Sequence, residues 1–360
     1  MRILLTTAHP FPPEIAGGAQ SSMQEMAQAL IERGHEVALL CGLAGDGLFG
    51  LRSRLKLKLG RSDVICDTSL RLPVFRSWHP WEAAAHVRDK FKPDIVVPHS
   101  GLPVQMSHSF RALDVPTMIY FRNVDESDFG GDAVASADGY VANSRFTAER
   151  LKNDYNIDAV VIPPLFEADN YRVETSRECI TFINPHPSKG RDIAFDLAKL
   201  LPDEKFIFVR AWSLDQEDES KLQNISQSCA NIEVIERTDD MKQIYSRTKV
   251  VLVPSRWEEA WGRVVSEAHF SGIPVIATSI GGLPEAVGPG GILMEPEATA
   301  EDWSRALRAL CKDGQQYSRV ARAALDYSRR DGLRKGFLVQ QFVETARKTV
   351  DSQRQGTRAA

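Results

Sequence analysis

Short apolar runs alternate with longer amphipathic stretches along most of the chain. In the first half the apolar runs fall at 2–6, 36–41, 94–98, 117–121, 139–142 and 160–163, and the clearest amphipathic stretches fall at 21–33 and 145–154. Apolar runs of this length, separated by helical patterns, are typical of parallel strands covered by helices. The alternation therefore predicts an α/β fold.

The same pattern restarts in the second half, after a proline-containing linker at 163–172. Apolar runs follow at 179–183, 205–209, 233–235, 250–253 and 273–277, and helical patterns at 191–201, 302–311, 317–326 and 335–347. A chain of 360 residues is also too long for one ordinary core. We expect two doubly wound, Rossmann-like domains, 1–165 and 172–335, which face an interdomain cleft with ligand at the strand C-termini. A helix and a polar tail, frayed from about residue 351, occupy 336–360.

Composition and charge argue against a protein that binds nucleic acid, depends on disulfides or spans a membrane. The formal net charge of −4 gives no global attraction to nucleic acid or to an anionic membrane. The cysteines are odd in number and lack CxxC spacing, so we expect free thiols at Cys41, Cys66, Cys179, Cys229 and Cys311. The opening MRILLTT is too short for a signal peptide, and no run approaches the roughly 18 apolar residues of a membrane span. We expect a cytoplasmic protein, at most peripheral to a membrane.

The segment from Pro254 to Glu285 carries the strongest chemical signal. Glu259 and Glu267 flank seven residues, at the point where an apolar strand turns into a helix near Gly262. Carboxylates accept hydrogen bonds from hydroxyls, and the backbone amides at a glycine-opened helix start can bind phosphate. The segment therefore predicts a site for a ligand that carries both groups, such as a nucleotide sugar. An exposed helical acid is the plainer interpretation of Glu267, but its neighbours on the helix are apolar.

Two other loops hold candidate anion ligands. Gly17 and Gly18 open a helix after the first strand, where backbone amides can approach a phosphate or an acceptor closely. Lys189, Gly190 and Arg191 follow the first strand of the second half, where the two cations would neutralise a diphosphate leaving group. The plainer interpretations are a tight turn and solvated loop charges. Their place at strand–helix junctions favours the functional interpretation.

The segment from Leu48 to Arg61 breaks the pattern, because all its charges are positive and leucine recurs through it. Its leucines fit both strand alternation and helical spacing, so periodicity does not decide its structure. It is either a solvated edge element or a basic apolar patch, at 51–61, that contacts an anionic or membrane-held acceptor. The overlapping GxGxxG at Gly45–Gly50 follows the second strand rather than the first, which disfavours dinucleotide binding.

The segment 254–285 resembles the signature of the retaining glycosyltransferases of the GT-B class, which include mannosyltransferases, glycogen synthases and sucrose synthases. The matching residues are Pro254-Ser255, Glu259, Trp261-Gly262, Glu267-Ala268, Gly272-Ile273-Pro274-Val275 and Gly281-Gly282-Leu283-Pro284-Glu285. Weaker matches, among them Gly17-Gly18 and Lys189-Gly190, extend over nearly the whole chain. The resemblance implies the GT-B fold, with a final helix that returns to the first domain.

The resemblance also implies roles for single residues. Glu259 would bind hydroxyls of the donor sugar and help to stabilise an oxocarbenium-like transition state, Glu267 would bind the ribose, Lys189 the diphosphate, and Gly18 would line the phosphate and acceptor side. The backbone amides expected to bind sugar or phosphate are those of Trp261, Gly262 and Arg263. In this family the leaving phosphate takes the acceptor proton on the same face of the sugar. Neither a protein nucleophile nor a metal or other cofactor is then expected.

Some positions depart from the family pattern. Asn184 stands near the place of an arginine that usually precedes the Lys-Gly pair, and Arg210 or Arg191 would have to supply that charge. Arg122 follows a strand at which many members carry a histidine, and arginine cannot relay a proton. His99 is therefore a candidate catalytic residue on the acceptor side, with His9 as a further candidate.

The sequence also leaves other functions open. A nucleotide-sugar epimerase or a phosphorylase on the same scaffold would turn over the donor without a second carbohydrate, and a non-catalytic protein would keep only the donor site. The acceptor is a carbohydrate, a lipid-linked sugar or a small molecule. The sequence identifies neither the base and sugar of the donor nor the oligomeric state.

Overall fold

The chain divides into two compact units. The computed structural model describes residues 1–15, 17–60 and 62–359, with side chains described as far as residue 355. One unit comprises Met1–Leu165 together with Arg334–Ala360, and the other comprises Phe166–Leu333. Each unit is an α/β layer structure around its own core, and we describe them one at a time.

The first unit alternates strands and helices as the apolar pattern predicts. Its elements are β1 (Arg2–Pro10), α1 (Gly18–Glu32), β2 (Glu36–Gly42), α2 (Gly47–Gly60), β3 (Ile65–Asp67), β4 (Val74–Ser77), α3 (Ala84–Phe91), β5 (Ile95–Pro98), α4 (Pro103–Arg111), β6 (Met118–Phe121), β7 (Gly139–Ala142), α5 (Arg145–Tyr155) and β8 (Val160–Val161). The strand order is β3-β4-β2-β1-β5, with only β3 antiparallel, and a parallel bridge from Val96 to Thr117 continues it to β6-β7-β8.

The last helix, α13 (Lys335–Ala359), belongs to this first unit. Its buried Leu338 and Phe342 share one apolar core with Ile3 and Leu5 of β1. An ion pair links its first turn to the end of α1, because Lys335 Nζ lies 2.7 Å from a Glu32 carboxylate oxygen. The helix thus covers one face of the sheet with its apolar side.

The second unit has a sheet of six parallel strands. Its elements are β9 (Cys179–Ile183), α6 (Arg191–Leu200), β10 (Lys205–Val209), α7 (Gln216–Ser228), β11 (Ile232–Ile235), α8 (Met241–Tyr245), β12 (Thr248–Val253), α9 (Arg263–His269), β13 (Val275–Thr278), α10 (Leu283–Val287), β14 (Gly291–Met294), α11 (Ala300–Lys312) and α12 (Gly314–Ser328). The order is β11-β10-β9-β12-β13-β14. The order reverses at β9, which lies between β10 and β12. Ligands of open α/β sheets bind at the carboxyl ends of strands beside such a switch point.

The structure confirms a two-domain α/β fold with parallel sheets, and it corrects several details. The segment from Leu48, whose structure periodicity left open, is the helix α2, and Arg61 lies outside the described residues. The final helix continues to Ala359, although fraying was expected from about residue 351. The sequence pattern missed β3, β4, α3, α4, α7, α8, α10 and β14, most of which are short or polar. All five cysteines are free, as predicted.

Candidate functional site

Loops after β9 and β12 pack directly on each other at the carboxyl edge of the second sheet. A single 3-10 turn, Pro187–Lys189, follows β9 and ends at Gly190, whose φ is +75°. A Cβ atom at Gly190 would lie 1.7 Å from the carbonyl oxygen of Pro254, so no other residue fits there without moving one of the loops. The Arg256 amide also donates to the Ser188 carbonyl at 2.9 Å. This close packing fixes Lys189 beside the loop after β12.

A third loop, after β13, holds the backbone of Glu259. The Gly282 amide donates to the Glu259 carbonyl oxygen at 2.6 Å. Gly281 has a φ of +59°, and a Cβ there would lie 2.4 Å from the same oxygen. Because Gly281 and Gly282 lack side chains, the turn after β13 can pack closely against the backbone of Glu259.

Lys189 and Glu259 form an ion pair where these loops meet. Lys189 Nζ lies 2.6 Å from Glu259 Oε1, and Ser255 Oγ donates to the same carboxylate oxygen at 2.7 Å. Both charged side chains are largely buried, at 15% and 12% exposed. An ion pair so little exposed retains much of its strength, because water screens it weakly. The structure therefore brings together the two residues that the sequence predicted for diphosphate and sugar.

Two tryptophans flank the Lys189 ammonium. Nζ lies 4.8 Å from the ring centre of Trp212 and 4.9 Å from that of Trp257, within the range of cation–π contacts. Both indoles are about 40% exposed, although large aromatic side chains are usually mostly buried. Trp212 lies in the loop after β10, and no sequence motif contains it. Asn184, with φ +69°, accepts from the Trp212 amide at 3.4 Å and so contacts that loop.

Glu267 belongs to a separate, buried hydrogen-bond network. Its Oε2 accepts from the Tyr245 hydroxyl at 3.0 Å and its Oε1 from Arg263 Nε at 3.3 Å. Burial, followed by the negative charge of Glu267, raises the pKa of Tyr245 well above its usual value. Arg263 in turn donates to the Tyr171 hydroxyl at 2.9 Å.

The Trp261 side chain is buried and donates to Ser266 Oγ, so only its backbone is available for ligand.

The structure gives the other predicted cations of this unit protein partners. The Arg191 side chain is only 4% exposed, and its guanidinium lies 2.6 Å from an Asp218 carboxylate oxygen. Arg210 binds Glu219 through both terminal nitrogens and lies 3.1 Å from Glu236. Its hydrogen bonds to Glu219, the largest effect, raise its pKa. Lys189 is thus the predicted diphosphate ligand that the structure places beside Glu259.

In the first unit, charged side chains hold the loop before Gly17 and Gly18. The buried Arg76 donates to the carbonyl oxygens of Phe11 and Pro12, and the Glu14 carboxylate accepts from the Gly45 amide at 2.8 Å. Gly17 has an extended backbone with φ −168°, which any residue can adopt. The first amide of α1 lies just beyond it. No local sequence signal marks Arg76 or Glu14 for this role, since their partners lie far along the chain.

His99 is buried under Arg122 and not at the surface. It is 1% exposed, and its Nδ1 accepts from Arg122 Nε at 2.9 Å, which requires a neutral ring with its proton on Nε2. Burial, and secondarily the Arg122 charge, holds the pKa of His99 well below its usual value. The structure therefore makes His99 a positioning residue for Arg122 in this conformation. His9 is half exposed, and its Nε2 lies 3.2 Å from Asp128 Oδ1.

We expect acid to weaken the second unit through His269, which lies on α9 two residues beyond Glu267. Burial, followed by the charge of Arg330, lowers the pKa of His269 from 6.5 to about 3. Below pH 6.5 the unfolded chain then binds a proton that the folded chain does not, so stability falls by up to about 1.4 kcal/mol per pH unit.

The measurement is the free energy of unfolding of this unit at pH 7 and at pH 5.5, for wild type and for His269→Gln. We expect the wild type to lose about 1 kcal/mol more than the variant across this interval. The buried His99 is present in both proteins, so its contribution cancels. Equal pH dependence in the two proteins would contradict the assignment.

Two family models match the chain. Residues 16–169 match the model described as "Glycosyltransferase Family 4", and residues 174–326 match "Glycosyl transferases group 1". The chain belongs to the GT-B glycosyltransferases. Together the two matches cover both halves of the chain, as the sequence resemblance implied.

Solved GT-B structures share the fold of this glycosyltransferase chain. Anabaena Alr3699/HepE, solved in complex with UDP and glucose, aligns with a TM-score of 0.76 at 19% identity, over 95% of this chain and 98% of its own. Sucrose-phosphate synthase from Thermosynechococcus elongatus aligns with a TM-score of 0.77 at 16% identity, over 96% and 98%. At such identities the likeness establishes the fold alone.

Curated relatives of this glycosyltransferase chain match it over shorter stretches. A D-inositol 3-phosphate glycosyltransferase of Mycobacteroides abscessus is 26% identical over 212 residues, which are 52% of this chain and 48% of the relative. The enzyme of that name from Corynebacterium aurimucosum is 38% identical over 91 residues, 25% of this chain and 21% of the relative. The chain thus spans about half, or less, of the length of these relatives.

No described helix combines the length and apolar character that crossing a bilayer requires. Across 1–15, 17–60 and 62–359, no group of three or more His, Cys, Asp and Glu side chains is arranged to hold a metal ion.

Proposed function

We propose that this protein transfers a sugar from a nucleotide-diphosphate sugar to a carbohydrate, lipid-linked or small-molecule acceptor, with retention of anomeric configuration. The observation that carries the proposal is the Lys189–Glu259 ion pair at the switch point of the second sheet. In this proposal the cation would bind the diphosphate and the carboxylate would bind hydroxyls of the sugar.

The ion pair would exchange partners when the donor binds. The donor diphosphate would take the Lys189 ammonium, and the sugar hydroxyls would donate to the Glu259 carboxylate, so neither charge is left without a partner. As the bond from the anomeric carbon to the phosphate oxygen breaks, negative charge grows on the diphosphate and positive charge on the sugar ring. Lys189 would stabilise the first charge and Glu259 the second.

The proton needs no protein base in this mechanism. The acceptor oxygen attacks the anomeric carbon on the face that the diphosphate leaves, and the leaving phosphate oxygen takes the acceptor proton. Glu267 would bind the ribose hydroxyls after partial release from Tyr245 or Arg263. The amides of Gly262 and Arg263 would bind sugar or phosphate. We propose that no metal or other cofactor takes part, since Lys189 supplies the charge that a divalent ion supplies elsewhere.

The names of the relatives suggest where to begin the search for substrates. HepE is described with UDP and glucose, so UDP-sugars are our first candidate donors. The inositol phosphate of the curated relatives is our first candidate small-molecule acceptor. A lipid-linked acceptor would require that the protein reaches a bilayer surface.

The test is transfer from a panel of nucleotide sugars to an acceptor pool, with the anomeric configuration of the product read by NMR. We expect a nucleoside diphosphate and a product that keeps the configuration of the donor. An inverted product would contradict the retaining mechanism. Donor turnover without an acceptor would favour an epimerase or a phosphorylase, and nucleotide binding without turnover would favour a binding protein.

A further inference from the structure

Helix α2 of the first unit presents a stripe of leucines to solvent. Leu48, Leu51, Leu55 and Leu59 recur at intervals of three and four residues, which places them on one helix face. They are between 56% and 76% exposed. The opposite face is the one that packs on the protein, through the buried Gly50, Ser53 and Leu57. The leucine stripe is therefore not part of the core.

Basic side chains line both edges of this stripe. On an ideal helix Arg52 and Lys56 fall on one side of the leucines, and Arg54 and Lys58 on the other. All four are exposed, and α2 contains no acidic residue. Within the part of the chain that the structure describes, none of these four cations forms an ion pair. A local cluster of positive charge thus stands on a chain whose net charge is −4.

An exposed aromatic ring lies beside the same helix. Trp78, just after β4, is 40% exposed and lies under the guanidinium of Arg54, with 5.7 Å from Cζ to the ring centre. Tryptophan favours the interface between water and lipid, because its ring is apolar and its N–H is polar.

We propose that α2 docks on an anionic lipid surface, with its leucines in the interface and its cations against the headgroups. A helix with an apolar stripe between basic edges has the composition of helices that lie in the plane of a membrane. Headgroup phosphates would neutralise the basic edges while the leucines leave water. The contact is reversible and sensitive to salt, because part of the attraction is electrostatic.

A second copy of the chain fits this surface less well. If two α2 helices packed stripe to stripe, the basic edges of one would face those of the other, and like charges at such a seam repel. A nucleic acid would be attracted by the cations, but it would leave four leucines in water. An anionic lipid surface complements the leucines and the charges together.

The test is sedimentation of the full chain with vesicles of phosphatidylcholine, with and without phosphatidylglycerol, in the absence of any nucleotide or acceptor. We expect binding to the anionic vesicles that weakens at least about tenfold on neutral vesicles or at high salt. The double variant Arg52→Gln/Lys56→Gln, and separately Leu51→Ser/Leu55→Ser, should each weaken binding by about tenfold or more.

A matched control removes two exposed cations from α12 of the second unit, as Arg319→Gln/Arg322→Gln, and should bind vesicles like the wild type. Wild-type affinity in both α2 variants would overturn the proposal, as would absence of vesicle binding or equal binding to neutral and anionic vesicles. A dimer in solution that Leu51→Ser/Leu55→Ser abolishes would assign the stripe to a second copy instead. None of these readouts depends on sugar transfer, so this proposal fails or survives independently of the proposed function.

Discussion

Replacing Glu259 with glutamine is expected to lower kcat for sugar transfer by about a hundredfold to a thousandfold, the usual effect of removing one preorganised charge from a transition state. The amide has nearly the shape of the carboxylate and can still accept from Ser255, whose hydroxyl lies 2.7 Å from Oε1. What it lacks is the negative charge that would stabilise an oxocarbenium-like sugar. The measurement is the rate of nucleotide release with saturating donor and acceptor.

The neighbouring Glu258 provides the matched control. It is exposed, and Glu258→Gln makes the same chemical change one residue away. We expect this variant to keep kcat within about twofold of the wild type, because it leaves the Glu259 carboxylate and its contacts with Lys189 and Ser255 in place. An equal loss in both variants would point to a disturbance of the loop after β12, and full activity in Glu259→Gln would remove Glu259 from the mechanism.

Replacing Gly190 with alanine is expected to lower the stability of the second unit by at least about 2 kcal/mol, and to displace Lys189 if the unit still folds. The backbone at Gly190 is left-handed, and a Cβ there would lie 1.7 Å from the Pro254 carbonyl oxygen. The loop after β9 must therefore move off the loop after β12. The measurements are the free energy of unfolding and the affinity for a nucleoside diphosphate.

The control for this change is Gly314→Ala at the start of α12. A Cβ at Gly314 meets no atom within 4 Å, and alanine favours the helix, so we expect unchanged or slightly higher stability. Wild-type stability and nucleotide affinity in Gly190→Ala would contradict the fixed packing of the two loops.

The sequence predicted Lys189 and Glu259 as separate ligand residues because each carries a local signal. Each lies in a loop directly after a buried strand, and adjacent parallel strands bring such loops to one edge. The glycines at 190, 281 and 282 mark the places where these loops touch. The motifs thus indicated the two charged residues, and the adjacency of β9 and β12 brings them into contact.

The sequence predicted least about residues whose partners are distant in sequence. Arg191 has the expected charge, but its ion pair is with Asp218 on α7, which no local pattern connects to it. His99 follows a strand as a catalytic histidine would, yet Arg122 covers it. Trp212 contacts Lys189 only because β10 is adjacent to β9. Contacts of this kind are set by sheet order, which a single sequence does not state.

Helix α2 shows the limit of periodicity. Its leucines fit a strand and a helix equally, and the structure resolves this through the small or apolar residues Gly50, Ser53 and Leu57, which pack on the first unit at helical spacing. The strands β3 and β4 were missed for a related reason. Each contains a charged residue, Asp67 in β3 and Arg76 in β4, so neither stands out as an apolar run.

The central claim is that Lys189 binds the diphosphate of a nucleotide donor, and calorimetric titration of the full chain with UDP, GDP, ADP and CDP tests it most directly. We expect at least one of them to bind the wild type, and to bind Lys189→Met at least about tenfold more weakly, because a charge-assisted contact is lost. The control Lys199→Met removes an exposed lysine of α6 and should leave the affinity unchanged. Equal affinity of Lys189→Met and wild type, or no binding of any of the four nucleotides, would contradict the account.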